Sequence, residues 1–200
     1  MSETLEAPST QTVSVPTPRA VATRWLADFS AALEQRDPET VGALFLPDGW
    51  WRDLLAFTWD LRTFHGTGAI TDALAATLEG SRPTGFGLTE GKEPVLVEVD
   101  ENTKWVQGFF DFETTVARGN GFFRLMPTGT DADGPWRAWT VLTTMEALKS
   151  FEEQLGPRRE KGVSHGEQRD RQSWLERREA EREFTDSEPQ VVVVGAGQGC

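Results

Sequence analysis

No tyrosine occurs in these two hundred residues, although there are eight tryptophans, four of them within the first sixty positions. The single cysteine, Cys200, leaves no internal disulfide and no cysteine-based metal site. Of the two histidines, His165 sits in a charged stretch with no second ligand at metal spacing, so no metal is expected. No apolar run approaches the length of a membrane span. Positive charge is also in short supply: 20 Lys and Arg stand against 32 Asp and Glu, a formal net charge of −12 at pH 7. Phosphate binding needs a basic footprint, so nucleic acid and anionic membrane surfaces are not expected partners. The opening "MSETLEAPSTQTVSVPTPRA" lacks the apolar core of a secretory signal. Residues 1–19 therefore read as a disordered leader, in a protein expected to be cytoplasmic.

The length suits one domain with a tail, and is enough to bury a core. Thr17-Pro18 offers a helix start, and Ala22, Trp25, Leu26, Phe29, Ala32 and Leu33 then fall on one helical face. Asp37-Pro38 repeats the signal, with Val41, Leu44 and Phe45 predicting a short second helix that Pro47-Asp48-Gly49 breaks. Residues 49–66, "GWWRDLLAFTWDLRTFHG", are the densest aromatic stretch. Its first half suits a short helix; its second, 59–64, alternates like a strand. Ile70, Ala73, Leu74, Thr77 and Leu78 predict a third helix closed by Gly80. Val95, Val97 and Val99 then alternate, and "KWVQGFFDFETTVA" is a long aromatic and β-branched run. "RGNG" at 118–121 reads as a hairpin turn, "FFRLM" as its answering strand, and "WRAWTVLTTME" as a last strand. Helices followed by an antiparallel meander predict an α+β fold, a strongly curved sheet closed by three helices over 20–155.

Beyond Gly156 the chain is almost solidly charged, with Trp174, Leu175 and Phe184 as its few anchors. Such a segment forms no core of its own; 156–190 reads as a linker, helical around 172–182. The chain then ends on "VVVVGAGQGC". Four valines suit a strand buried on both faces, and Gly195 and Gly197 have the spacing of a dinucleotide-binding turn. Cys200 takes the place of that turn's third glycine, and the helix and acidic residue that should follow are absent, so 191–200 reads as a truncated start.

Asp53, Asp60 and His65 are the titratable groups nearest the tryptophans. In an apolar cone each is a candidate general base, with a pKa moved by burial. Against this, Arg52 and Arg62 stand ready to pair with the two carboxylates, and His65 to end a strand. Trp50, Trp51 and Trp59 suit core or interface as well as a ligand platform. A pocket, where one exists, is expected between the aromatics of 49–64 and strands 109–112 and 136–141, with Phe110, Phe112 and Trp139 in its wall.

The order of these segments resembles the front of flavin-containing monooxygenase-like proteins of fungi and bacteria. There a SnoaL-like domain, a cone of the nuclear transport factor 2-like superfamily, precedes the FAD-binding domain. Gly49-Trp50-Trp51-Arg52-Asp53, Trp59-Asp60, Arg62-Thr63, Gly66, Trp174-Leu175-Glu176-Arg177-Arg178 and Gly195-Ala196-Gly197-Gln198 carry the resemblance. It implies FAD and NADPH in the longer relatives, with Gly195, Gly197 and Gly199 at the pyrophosphate, and neither cofactor on this chain alone. The missing flavin domain would be its partner, and a homodimer is a further expectation. The resemblance also leaves open a free-standing SnoaL-like small-molecule binder or an isomerase or cyclase, which in that superfamily works through a pocket carboxylate or histidine, and a dimerisation scaffold.

Overall fold

The computed structural model describes residues 16–100, 103–129, 134–151, 153–159 and 172–185. The expectations for His165, for 191–194, for Gly195, Gly197, Gly199 and Cys200, and for most of the leader lie outside the described residues. The chain divides into two compact units, Met1–Glu153 and Gln154–Cys200.

In the first unit, helix α1 spans Pro18–Glu34, and its N-cap Thr17 accepts from Ala20 N at 3.2 Å. That bond satisfies one of the amides that a helix start leaves unpaired. The face predicted from spacing is the buried one, with Val21 added to it. Helix α2 spans Pro38–Ala43, capped by Asp37, which accepts from Thr40 N at 3.0 Å. The second helix therefore ends before Phe45, which opens strand β1, Phe45–Leu54. Pro47 and Gly49 lie inside that strand rather than breaking a helix, and the first half of 49–66 is strand, not helix. The tryptophan pair explains this: Trp51 goes inside and Trp50 outside, the two-residue alternation of a sheet.

Strand β2, Leu61–His65, runs back along β1, and Gly66 leads into helix α3, Thr67–Ser81. This helix passes through Gly80 and closes on Arg82, which takes the left-handed conformation at φ 43. Strands β3 (Thr84–Leu88), β4 (Val95–Glu98), β5 (Lys104–Glu113), β6 (Ala117–Pro127) and β7 (Trp136–Leu148) follow. Strand β3 has no counterpart in the sequence pattern. The sheet order is β2-β1-β7-β6-β5-β3, with β4 also on β5. Its pairs are antiparallel except β1 with β7, so the sheet is mixed at the point where the chain's first and last strands meet.

Two irregularities bend β7. Arg124 pairs with Thr140 and Leu125 with Ala138, leaving Trp139 unmatched; Arg118 pairs with Ala147 and Gly119 with Met145, leaving Glu146 unmatched. An extra residue on one strand kinks it and deepens the twist. The sheet curls around the helices, and the architecture is the α+β cone that the sequence predicts.

The "RGNG" segment is not a hairpin turn. It lies within β6, and the turn falls earlier, at 114–116. Across the β5–β6 pair, Phe110 stands opposite Gly121, Phe112 opposite Gly119 and Phe123 opposite Gly108. A Cβ on Gly119 would lie 2.5 Å from Phe112 Cζ, and one on Gly108 2.7 Å from Phe123 Cζ. These glycines make room for rings rather than for positive φ.

The space between helices and sheet is filled with aromatic rings. Trp25 stacks on Phe29 at 4.7 Å between centroids, Phe86 on Phe112 at 5.3 Å, and Trp25 meets Phe123 at 5.4 Å. Each such pair adds about 0.5–1.5 kcal/mol beyond its buried area.

In the second unit, a single 3-10 turn covers Gly156–Arg158 and helix α4 spans Trp174–Glu183. Ser173 and Glu176 close a reciprocal cap, with Ser173 N donating to Glu176 Oε2 at 2.7 Å. The side chains of this helix, including Trp174 and Leu175, are exposed.

Candidate functional site

The β1–β2 hairpin places the three titratable candidates in three different environments. Asp53 is fully buried, and across the parallel β1–β7 pair it faces the equally buried Thr143. Thr143 Oγ1 donates to Asp53 Oδ1 at 2.6 Å and accepts from Trp51 Nε1 at 3.0 Å. The other oxygen, Oδ2, takes Thr58 N at 2.8 Å and Thr58 Oγ1 at 2.7 Å, and Phe57 N lies 3.1 Å from it. Four donor groups thus surround one carboxylate that no cation touches among the described residues. Asp53 does not pair with Arg52, and its lone pairs are committed to holding the hairpin loop. That loop needs holding, because Leu55 and Trp59 both sit at positive φ, 67 and 55.

Asp60 is exposed at the loop end. Leu61 N donates to it at 2.8 Å and Arg62 Nε lies 2.7 Å away. The Leu61 amide first, and the Arg62 guanidinium second, hold its carboxyl below the ordinary value. His65 closes β2 and lies flat on Trp50 across the strand pair, with ring centroids 3.9 Å apart. The structure does not bring Asp53, Asp60 and His65 together: one is inside, two are on the surface, and each already has partners.

The aromatic candidates separate as well. Trp51, Phe110 and Phe112 are core residues. Trp50 and Trp59 are exposed, and Trp139 stands on the sheet's outer face beside Trp105. None of the six lines the cleft between α1 and β7.

This cleft, of about 450 Å³, lies between the first half of α1, the α2–β1 junction and the start of β7. The Leu44 carbonyl ties these walls together. It accepts from Trp25 Nε1 of α1 at 3.2 Å and from Ala138 N of β7 at 2.8 Å. Arg24 and Asp28 enter from one side of α1, one turn apart, and Trp136 and Arg137 enter from β7. The buried indole N–H of Trp136 has no acceptor among the described residues. Neither Arg24 nor Arg137 forms an ion pair there. These four residues escape sequence reading because more than a hundred positions separate them, and only the return of β7 to β1 brings them together.

Among the described residues there is no cluster able to hold a metal, and no helix long and apolar enough to cross a membrane. The glycines at which the resemblance implies a dinucleotide, Gly195, Gly197 and Gly199, lie outside the described residues.

No family model matches the chain, and no curated protein does. Solved structures similar to it include a ketosteroid isomerase-like protein from Erwinia carotovora atroseptica, 14% identical with a TM-score of 0.46, covering 64% of this chain and 95% of that one. Nuclear transport factor 2 from Cryptosporidium parvum is 15% identical, TM-score 0.46, over 63% of this chain and 92% of its own. A protein of unknown function from Mycobacterium tuberculosis is 17% identical, TM-score 0.46, over 65% of this chain and 72% of its own. None of these names assigns an activity to this chain.

Proposed function

We propose that the chain binds a small molecule in the α1–β7 cleft, and that the cone interior performs no acid–base chemistry. The observation that carries this reading is a cleft of about 450 Å³ with largely apolar walls, lined in part by Trp136, whose buried N–H has no acceptor among the described residues. That volume falls within the usual range for a ligand site. A buried donor without an acceptor costs about 1–3 kcal/mol, which an acceptor on a ligand can offset. The interior offers the opposite: rings fill it, and its one carboxylate is fully hydrogen-bonded.

The tryptophans supply the test. Indole N–H resonances of a labelled sample, titrated with planar aromatic compounds, should move at Trp25 and Trp136 and stay still at Trp51. Movement at Trp51 alone would place the ligand in the interior and end this reading. On the same reading the purified chain retains no FAD after incubation and desalting. A stoichiometric flavin band would mean that the cone itself holds the cofactor, against both this reading and the truncated flavin-module expectation.

A second reading, a dimerisation scaffold, is favoured by one observation. On the outer sheet face the Arg124 guanidinium lies within 6 Å of three ring centroids, at 5.7, 5.4 and 5.8 Å from Trp105, Phe122 and Trp139. Its buried Nε has no acceptor among the described residues.

A further inference from the structure

We infer that the ligand of the α1–β7 cleft is a planar, mostly apolar monoacid whose anionic group sits between Arg24 and Arg137. The inference rests on the cleft reading above and adds the ligand's chemical class.

The first support is local charge. The chain as a whole carries −12, yet among the described residues the cleft holds two guanidinium groups against one carboxylate, Asp28, a surplus of one positive charge. Elsewhere this protein pairs many of its arginines: Arg19 with Glu93, Arg36 with Glu79 and Arg62 with Asp60. Arg24 and Arg137 have no such partner among the described residues. Asp28 does not claim Arg24, although the two are four apart on one helix. With the basic residue on the N-terminal side, this is the weaker orientation for such a pair.

The second support is the shape and polarity of the walls. Val21, Leu44, Trp25 and Trp136 give apolar contact, with Arg137 half-buried beside them and Arg24 exposed at the cleft's rim. A planar guanidinium grips a carboxylate through two parallel bonds, and a partly enclosed site strengthens that attraction. A surplus of one charge suits a monoanion. A di- or triphosphate would bring several negative charges against Asp28 in an already acidic protein.

The test compares 2-naphthoate with 2-naphthol, which has the same ring system without the carboxylate, on the full chain in low-salt buffer at neutral pH. Binding is followed at the Trp25 and Trp136 indole resonances. The expected result is at least ten-fold tighter binding of naphthoate, weakening as salt is added. Arg137→Gln and Arg24→Gln should each remove several-fold of that preference, lowering the naphthoate affinity more than the naphthol affinity. Both are surface or half-surface changes, and their melting temperatures check that the fold is intact. Equal affinity of the two probes in the unmodified chain would overturn the acid inference while leaving the cleft reading standing. So would a naphthoate preference that survives in the double variant. If neither probe moves the Trp136 resonance, the inference and the cleft reading fall together.

Discussion

At the scale of single residues, Asp53 shows why a buried carboxylate beside tryptophans is an ambiguous signal. The sequence left it open between a pocket base and a rim carboxylate paired with arginine; the structure puts it inside, because Trp51 and Asp53 are two apart on a strand and share a face. Nor did the sequence show that Thr58 and Thr143 would occupy its oxygens, since Thr143 arrives from the other end of the chain. Asp53→Asn puts an amide where donors already converge and leaves at least one of them unpaired. The expected loss is about 1–3 kcal/mol, read as a shifted urea midpoint with an unchanged slope. A variant as stable as the parent would mean that the carboxylate is free for chemistry. Asp60 behaves differently because it is exposed. Its pKa is lower folded than unfolded, held down by the Leu61 amide and then Arg62. Its contribution to stability is therefore present above the unfolded pKa and lost as pH falls through the folded one. Melting temperatures of the parent and Asp60→Asn should differ at neutral pH and converge in acid.

At the scale of elements, the helices were legible and the glycines were not. The stripe from Ala22 to Leu33 repeats at helical spacing, and Thr17-Pro18 and Asp37-Pro38 mark helix starts by a local mechanism that the sequence carries in full. A glycine, by contrast, has two unrelated uses, and only its neighbours in space distinguish them. "RGNG" has turn composition, but Gly119 and Gly121 stand opposite Phe112 and Phe110 in a continuous strand pair. Gly80, expected to end a helix, lies inside α3 with nothing within 4 Å of the place a Cβ would take. The two sites predict opposite signs for one substitution. Gly80→Ala should stabilise by about 0.5–1 kcal/mol, because the helix regains backbone entropy at no steric cost. Gly121→Ala should destabilise by about 1–3 kcal/mol, since its Cβ would meet the Phe110 ring and stand 2.6 Å from the Leu142 carbonyl oxygen. Denaturation curves of both variants check this, and a neutral Gly121→Ala would mean that the strand pair is looser than drawn.

At the scale of the whole molecule, the cone has filled its inside and left aromatic surface outside. Trp50 and Phe109 are each more than 40% exposed, and Trp105, Phe122 and Trp139 gather around Arg124 on the same outer face. Trp, Phe and Arg are the residues over-represented in the centres of protein interfaces. Strands β1, β5, β6 and β7 are each ten residues or longer. At about 4.8 Å between strands and about 3.3 Å per residue, they present roughly 600 Å². A standard interface takes about 800 Å² from each partner, so a second copy seated on this face would cover an area of the right order. It would also bring acceptors to the orphaned Arg124 Nε. The expected outcome is a dimer in sedimentation velocity at micromolar concentration, and a monomer for Phe109→Lys. Phe109 also packs on Phe122 at 5.1 Å between centroids and lies under the Lys92 ammonium, so the melting temperature of that variant checks that the outer face stays folded. A parent chain that stays monomeric over the whole concentration range would refute face-to-face pairing. A dimer that survives both Phe109→Lys and Trp50→Lys would locate its interface elsewhere. The cleft prediction is independent of either result, because Arg24, Trp136 and Arg137 line a different part of the cone.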